Sequence, residues 1–277
     1  MLILYEYDFK RKKLRKVKVL RKFGLLLSVC FILMFGNAQA MGFVESMNVK
    51  IGVFEAATIK LDYNNDDVSY SISAEMATAN FFGKMYPFTA KYMSKGKLLE
   101  SNVLPDVYET YTESRKHIRT KKIFYDDNGI AYKRVSTKDE KVNERDIKDV
   151  PETANSGDLQ TIFATLLSNF DKTKNCDILR EVYDGKKHYK VIAKSEGIET
   201  KYFDFVKKSE PAYKCSLYIE NLKENNDNIL WDVSADKPIN IWIGLDEKTK
   251  IPYVLEIRID STPLGAVEIK PSTLEIK

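Results

Sequence analysis

Downstream of residue 40 the chain carries two histidines, His117 and His188, and two cysteines, Cys176 and Cys215. A histidine does acid–base work when a carboxylate or nucleophile lies within hydrogen-bond reach. It binds zinc when further ligands follow at short, fixed spacing. Neither pattern is written here. His117 stands among Arg115, Lys116 and Arg119, and His188 follows Gly185-Lys186-Lys187. Alternation along Lys186–Ala193 groups His188 with Lys190 and Ile192 on the more polar face of a strand. Both histidines are therefore expected at the surface or rim. There is no Gly-x-Ser-x-Gly elbow and no glycine-rich phosphate loop. The carboxylate pairs, Asp66-Asp67, Asp126-Asp127 and Glu196 with Glu199, fall in turns or hydrophilic loops, where turn-forming acids explain them. A glycosidase would need its pair across a substrate cleft. The expectation is a protein that is not an enzyme and holds no metal or cofactor.

The cysteines speak to compartment. Nine Lys and Arg residues between Lys10 and Lys22 precede an apolar run, Leu25 to Phe35, and the small-residue pattern Ala38-Gln39-Ala40. That order predicts a cleavable signal peptide over residues 1–40. The run of about 11 residues is short of the ~18 that span a bilayer. No stable membrane anchor is expected after cleavage. Cys30 lies inside the leader, after Val29, which is larger than the residue that precedes a lipidated cysteine. In an oxidising compartment Cys176 and Cys215 are expected to pair. Closing a loop of about 40 residues stabilises a fold by roughly 3–4 kcal/mol in the chain-entropy model. Periplasmic localisation follows from the same leader.

Export changes the charge argument. The whole chain carries 44 basic and 40 acidic side chains. The leader's nine basic residues against Glu6 and Asp8 exceed that surplus, so residues 41–277 carry a net charge of −3. The basic balance belongs to the leader, and nucleic acid is not an expected partner.

The elements that must position any site are mostly strands. Asn64-Asn65-Asp66-Asp67 separates the alternating segments Ala57–Tyr63 and Val68–Ala74. Asn128-Gly129 and Asp184-Gly185 are two-residue hairpin signals. Asp246–Thr249 and Thr262–Gly265 join the last three strands. Tyr213, Cys215, Leu217 and Ile219 share one strand face, which points Cys215 into the core and makes its disulfide structural. Asp158–Phe170 predicts a helix, capped by Asp158, with Leu159, Ile162, Phe163, Leu166, Leu167 and Phe170 at helical spacing. Ala77–Met93 is ambiguous between strand and short helix. Ser136–Ser156 is polar and holds Pro151, which predicts a linker. The 237 residues from Met41 thus form a single mostly-β (α+β) domain. It comprises a front sheet over 41–135, a linker over 136–156, and a helix with a rear sheet over 157–277. The architecture expected is a curled antiparallel sheet or half-open barrel with one or two helices.

Aromatic residues crowd around Phe81, Phe82, Tyr86 and Phe88. They are candidates to line an apolar cavity together with Leu159, Phe163, Leu166 and Phe170 of the helix. They equally fill an ordinary β core, and sequence leaves both readings open.

The rear half also resembles a known family. Tyr183-Asp184-Gly185-Lys186 with Tyr189 is similar to an aromatic-Asp-Gly-basic turn and its following tyrosine. Tyr213-Lys214-Cys215 resembles a cysteine-bearing strand. Pro238-Ile239-Asn240-Ile241-Trp242, then Pro252, Thr262 and Leu264-Gly265, resembles a closing pattern. Together these resemble the domain-of-unknown-function family 3108 of exported bacterial proteins, over Leu159 to Ile269 and the front sheet only loosely. The resemblance implies a half-open barrel like the periplasmic lipoprotein carriers, by fold analogy, and it brings no catalytic residues. Cys176 is outside its pattern, so the disulfide rests on compartment alone. Two functions remain. One is a periplasmic module that binds a lipid or other apolar ligand. The alternative is a structural or interaction protein of the cell envelope, with a filled core and another envelope protein as partner.

Overall fold

In the computed structural model the described residues are 41–66, 68–99, 102–148, 157–183, 188–222, 233–260, 262–263 and 265–277. Eight strands come first: β1 (Met41–Ile51), β2 (Phe54–Asn65), β3 (Ser69–Thr78), β4 (Phe88–Leu99), β5 (Asn102–Ser114), β6 (Ile118–Tyr125), β7 (Ala131–Lys138) and β8 (Lys141–Asp146). A short helix, α1 (Asn80–Met85), interrupts the β3–β4 connection. After α2 (Leu159–Thr173) come β9 (Ile178–Tyr183), β10 (His188–Phe203), β11 (Lys208–Asn221), β12 (Ile239–Leu245), β13 (Pro252–Ile259) and β14 (Val267–Ile276). All lie in one fourteen-stranded antiparallel sheet ordered β8 to β1, then β14 to β9. Each strand neighbours its predecessor in sequence except β9, which lies at the opposite edge from β8, and the pairing of β1 with β14 joins the two runs. The sheet is therefore a continuous meander that does not close into a barrel, as a half-open barrel requires.

Side-chain period two explains the curl. Phe43, Met47, Leu61, Tyr63, Tyr70 and Ile72 face one interior from β1 to β3. Tyr189, Val191, Ala193, Cys215, Ile241 and Ile243 face another from β10 to β12. Helix α2 lies between these two apolar faces. Ala164 and Leu167 pack on the first and Ile162, Leu166 and Phe170 on the second. Its ends are fixed as its sequence predicts. The Asp158 carboxylate accepts from the Gln160 and Thr161 amides, and Lys174 takes the left-handed conformation after the last turn.

The chain crosses from one sheet edge, β8, to the other, β9, through α2. The two edges share no backbone ladder. Instead Tyr183 of β9 packs with Tyr108, Ile123, Tyr125 and Ala131 of β5 to β7. Arg180 Nη1 donates to the Val103 carbonyl of β5 at 2.8 Å.

Two local features bend the sheet. At Gly96 the β4–β5 register slips, and a Cβ there would lie 2.0 Å from the Leu104 carbonyl oxygen. Glycine alone allows that approach. The β6–β7 turn holds Gly129 at φ 74, and Asp126 Oδ1 accepts from the Asn128 and Ile130 amides.

One sequence expectation needs correction. Residues 136–146 are not linker. They complete β7 and form β8, joined through Asp139 and Glu140, both at positive φ. Their polarity reflects a strand exposed on both faces, since every β8 residue is exposed. Residues 149–156 lie outside the described residues, as do 1–40 and the Asp184-Gly185 turn. On β11 the face opposite Cys215 is covered too. Ser216 and Tyr218 are buried, Tyr218 with Ile192 and Val233. No helix among the described residues is long and apolar enough to cross a membrane.

Candidate functional site

The N-terminus of α2 enters the curl and meets a buried polar cluster. Asp158 Oδ2 accepts from Thr161 Oγ1 at 2.8 Å and from Ser94 Oγ of β4 at 3.0 Å. The Tyr70 hydroxyl of β3 lies 3.0 Å from Ser94 Oγ and 3.2 Å from Thr161 Oγ1. Burial raises the Asp158 carboxyl pKa, and its bonds to Thr161, Ser94 and the Gln160 amide oppose that. Tyr70 is pushed upward by burial and by Asp158. The Tyr125 hydroxyl of β6 is buried nearby with no hydrogen-bond partner among the described residues. This cluster caps a helix and ties it to the sheet.

A second buried group is Glu45 of β1. It alternates with Phe43 and Met47, so its carboxylate faces the interior, and its exposure is 0 %. Among the described residues neither oxygen has a hydrogen bond of ordinary geometry. Desolvation raises its pKa from 4.5 to about 8, and the Val254 backbone N–H offsets part of that cost. Near it β13 and β14 part company. They pair only from Ile257 with Ile269 to Ile259 with Val267, while Ser272–Ile276 follow β1. Tyr253 of β13 is pushed up to about 12 by burial, with Glu210 and Glu45 adding to it.

Sequence reading found neither group. Glu45 is in principle legible as one acid at an inward position of an apolar alternation. The Asp158 cluster is not, because its members come from β3, β4 and α2.

Both histidines have acid partners that sequence spacing did not supply. His117 Nδ1 lies 2.7 Å from Asp139 at the exposed β7–β8 turn. His188 Nε2 lies 3.1 Å from Glu181 on the paired strand β9. His188 is buried rather than on a rim, because Tyr183 stacks edge-on against it. Ser114 meets His117 through backbone atoms and not through the ring.

The expected cavity wall divides in two. Leu166 and Phe170 are in the core, Phe163 is half-buried against the front cluster, and Leu159 is 38 % exposed. Phe81 and Tyr86 stand exposed on and after α1, and Phe82 and Phe88 are half-buried beside them. The structure does not bring the Phe81–Phe88 group to the helix. That group stands at the β3–β4 end of the sheet, whereas α2 packs inside the curl. Cys176 and Cys215 form a disulfide with Cα atoms 5.9 Å apart, linking the chain after α2 to β11. Hollows on the sheet are open, and their linings mix apolar with charged side chains. One of about 390 Å³ is lined by Met41, Tyr70, Asn64, Asp66, Lys95 and Lys277 among others. Another of about 420 Å³ is lined by Ile59, Met76, Ala90, Lys60, Lys91 and Tyr111 among others. Among the described residues no group of three or more His, Cys, Asp or Glu is placed to hold a metal ion.

No curated protein matches the chain. Among solved structures, a crystal structure of a β-barrel-like protein of the domain of unknown function DUF1849 from Brucella abortus is similar to it. The likeness covers 86 % of this chain and 98 % of that one, with a TM-score of 0.50 and 8 % identity. At that identity the likeness concerns the fold alone. The sequence family described as a protein of unknown function, DUF3108, matches residues 46–267. The match takes in the front sheet as well as the rear half, and the chain belongs to the DUF3108 family.

Proposed function

We propose that this protein works in the periplasm, after loss of residues 1–40, as a non-catalytic structural or interaction module whose curled sheet is filled by its own helix. One observation supports the reading. Ala164, Leu167 and Phe170 have no surface accessible to a water-sized sphere, and Ile162 and Leu166 have almost none. A ligand pocket under α2 would leave such surface on its lining. An apolar ligand would therefore have to displace the helix.

Phe163 is the test position, because it is half-buried where α2 meets the front sheet. Replacing Phe163 by Trp in a filled interior overpacks it and costs about 1–3 kcal/mol. Native mass spectrometry of the exported protein is expected to give the mass of the polypeptide from Met41. A co-purifying lipid, lost on Phe163→Trp while stability holds, would overturn the proposal in favour of a carrier.

A further inference from the structure

Helix α1 has no buried residue. A helix this short owes its stability to packing an apolar face. Yet its sequence is Asn-Phe-Phe-Gly-Lys-Met, Phe81 is 62 % exposed, and the next residue, Tyr86, is 66 % exposed. The Ala79 amide donates to the Ala56 carbonyl at 2.9 Å, which sets α1 beside the start of β2. There Val53 of the β1–β2 turn and Phe54, the first residue of β2, are exposed as well. In an antiparallel meander alternate turns share one end of the sheet, so the β5–β6 turn joins them. Arg115 of that turn donates to the Lys84 carbonyl of α1 at 3.1 Å, and Lys116 follows it. One end of the sheet thus presents Val53, Phe54, Phe81, Met85 and Tyr86 as exposed large apolar side chains. Lys84, Arg115 and Lys116 stand among them. Scattered exposed apolar residues need no explanation, but a contiguous set marks an interaction site.

We infer that this end of the sheet docks on an anionic lipid surface. Aromatic rings beside Lys and Arg are the composition of proteins held at the membrane–water interface. Charge points the same way. Residues 41–277 carry a net −3, yet the three turns around α1, residues 52–53, 79–87 and 115–117, hold Lys84, Arg115 and Lys116 and no Asp or Glu. A positive, aromatic corner on a negative molecule complements anionic headgroups and orients the protein on them. The inference rests on the filled-interior reading, because a module without a ligand pocket acts through its surface.

The exported protein is mixed with vesicles of phosphatidylcholine, alone or with about 30 % phosphatidylglycerol, and floated on a density gradient. Binding is expected to the phosphatidylglycerol vesicles and to weaken as salt rises. Phe81→Ser with Tyr86→Ser, and Lys84→Glu with Lys116→Glu, are each expected to reduce binding at least about tenfold. These side chains are mostly exposed, so melting should change little. Val53→Ser with Phe54→Ser is a second apolar pair should the first disturb folding. All variants share one N-terminus, so any contribution from it cancels. The inference is overturned by failure to float with phosphatidylglycerol, or by binding that no variant weakens. It is equally overturned if the variants instead break a self-association or an envelope-protein contact made without lipid. A lipid found inside the purified protein would sink the filled-interior reading while leaving the flotation difference in place.

Discussion

Among single residues, Glu45 governs how the fold answers pH. Its folded pKa is about 8 against 4.5 for the free side chain. Between those values the native protein holds a proton that the unfolded chain releases. Its contribution is therefore fully present below about pH 4.5 and is lost as pH rises towards 8, by at most about 1.4 kcal/mol per unit. Glu45→Gln keeps the shape and removes the titration. Urea denaturation at pH 5 and pH 8 is expected to show a smaller loss of stability for the variant than for the wild type. Equal losses would place the carboxylate in contact with water. This residue and the two histidines mark a limit of sequence reading. Alternation assigned His188 to a polar face, but the partner that buries it, Tyr183, belongs to the neighbouring strand, and cross-strand register is not written in either segment.

At the level of elements, α2 was legible in type, cap and stripe because helical period and an N-cap acid are local signals. What it touches was not. Asp158 does more than cap, since it also receives the hydroxyls of Ser94 and Thr161. Asp158→Ala removes a cap worth about 1 kcal/mol and strands buried hydroxyls at about 1–3 kcal/mol. A total loss of about 2–4 kcal/mol is expected in denaturant titration, and a smaller one for Asp158→Asn, which can still accept from the helix amides. A loss below about 1 kcal/mol for Asp158→Ala would mean that the cap alone matters. The short helix is only ambiguously legible and β8 is not legible at all, for a shared reason. Neither buries a residue, so neither prints an amphipathic pattern on its sequence.

Across the whole molecule, the curled antiparallel sheet with few helices followed from many short alternating segments separated by turn residues. The long-range joins did not. The pairing of β1 with β14 and the contact of Tyr183 with β5 to β7 depend on how far the sheet curls, which accumulates over many strands. The disulfide is the covalent join among them, closing a span of 39 residues. Replacing both Cys176 and Cys215 by Ser is expected to lower stability by about 2–4 kcal/mol. Denatured, unreduced exported protein should show no free thiol, and two thiols per chain would remove the disulfide from the native molecule.

The single break in the meander has a consequence in time. Twelve strands, β2 to β8 and β10 to β14, can add one after another as the chain emerges, each onto the strand before it, and β9 starts afresh after α2. β1 must wait for β14, made after all the others. Until then the front half keeps the inner edge of β1 unzipped, its Phe43 and Met47 without the cover of β14. Assembly is therefore a late, two-piece event across more than 200 residues of contour, and the waiting edge is where a half-made chain would stick to its neighbours.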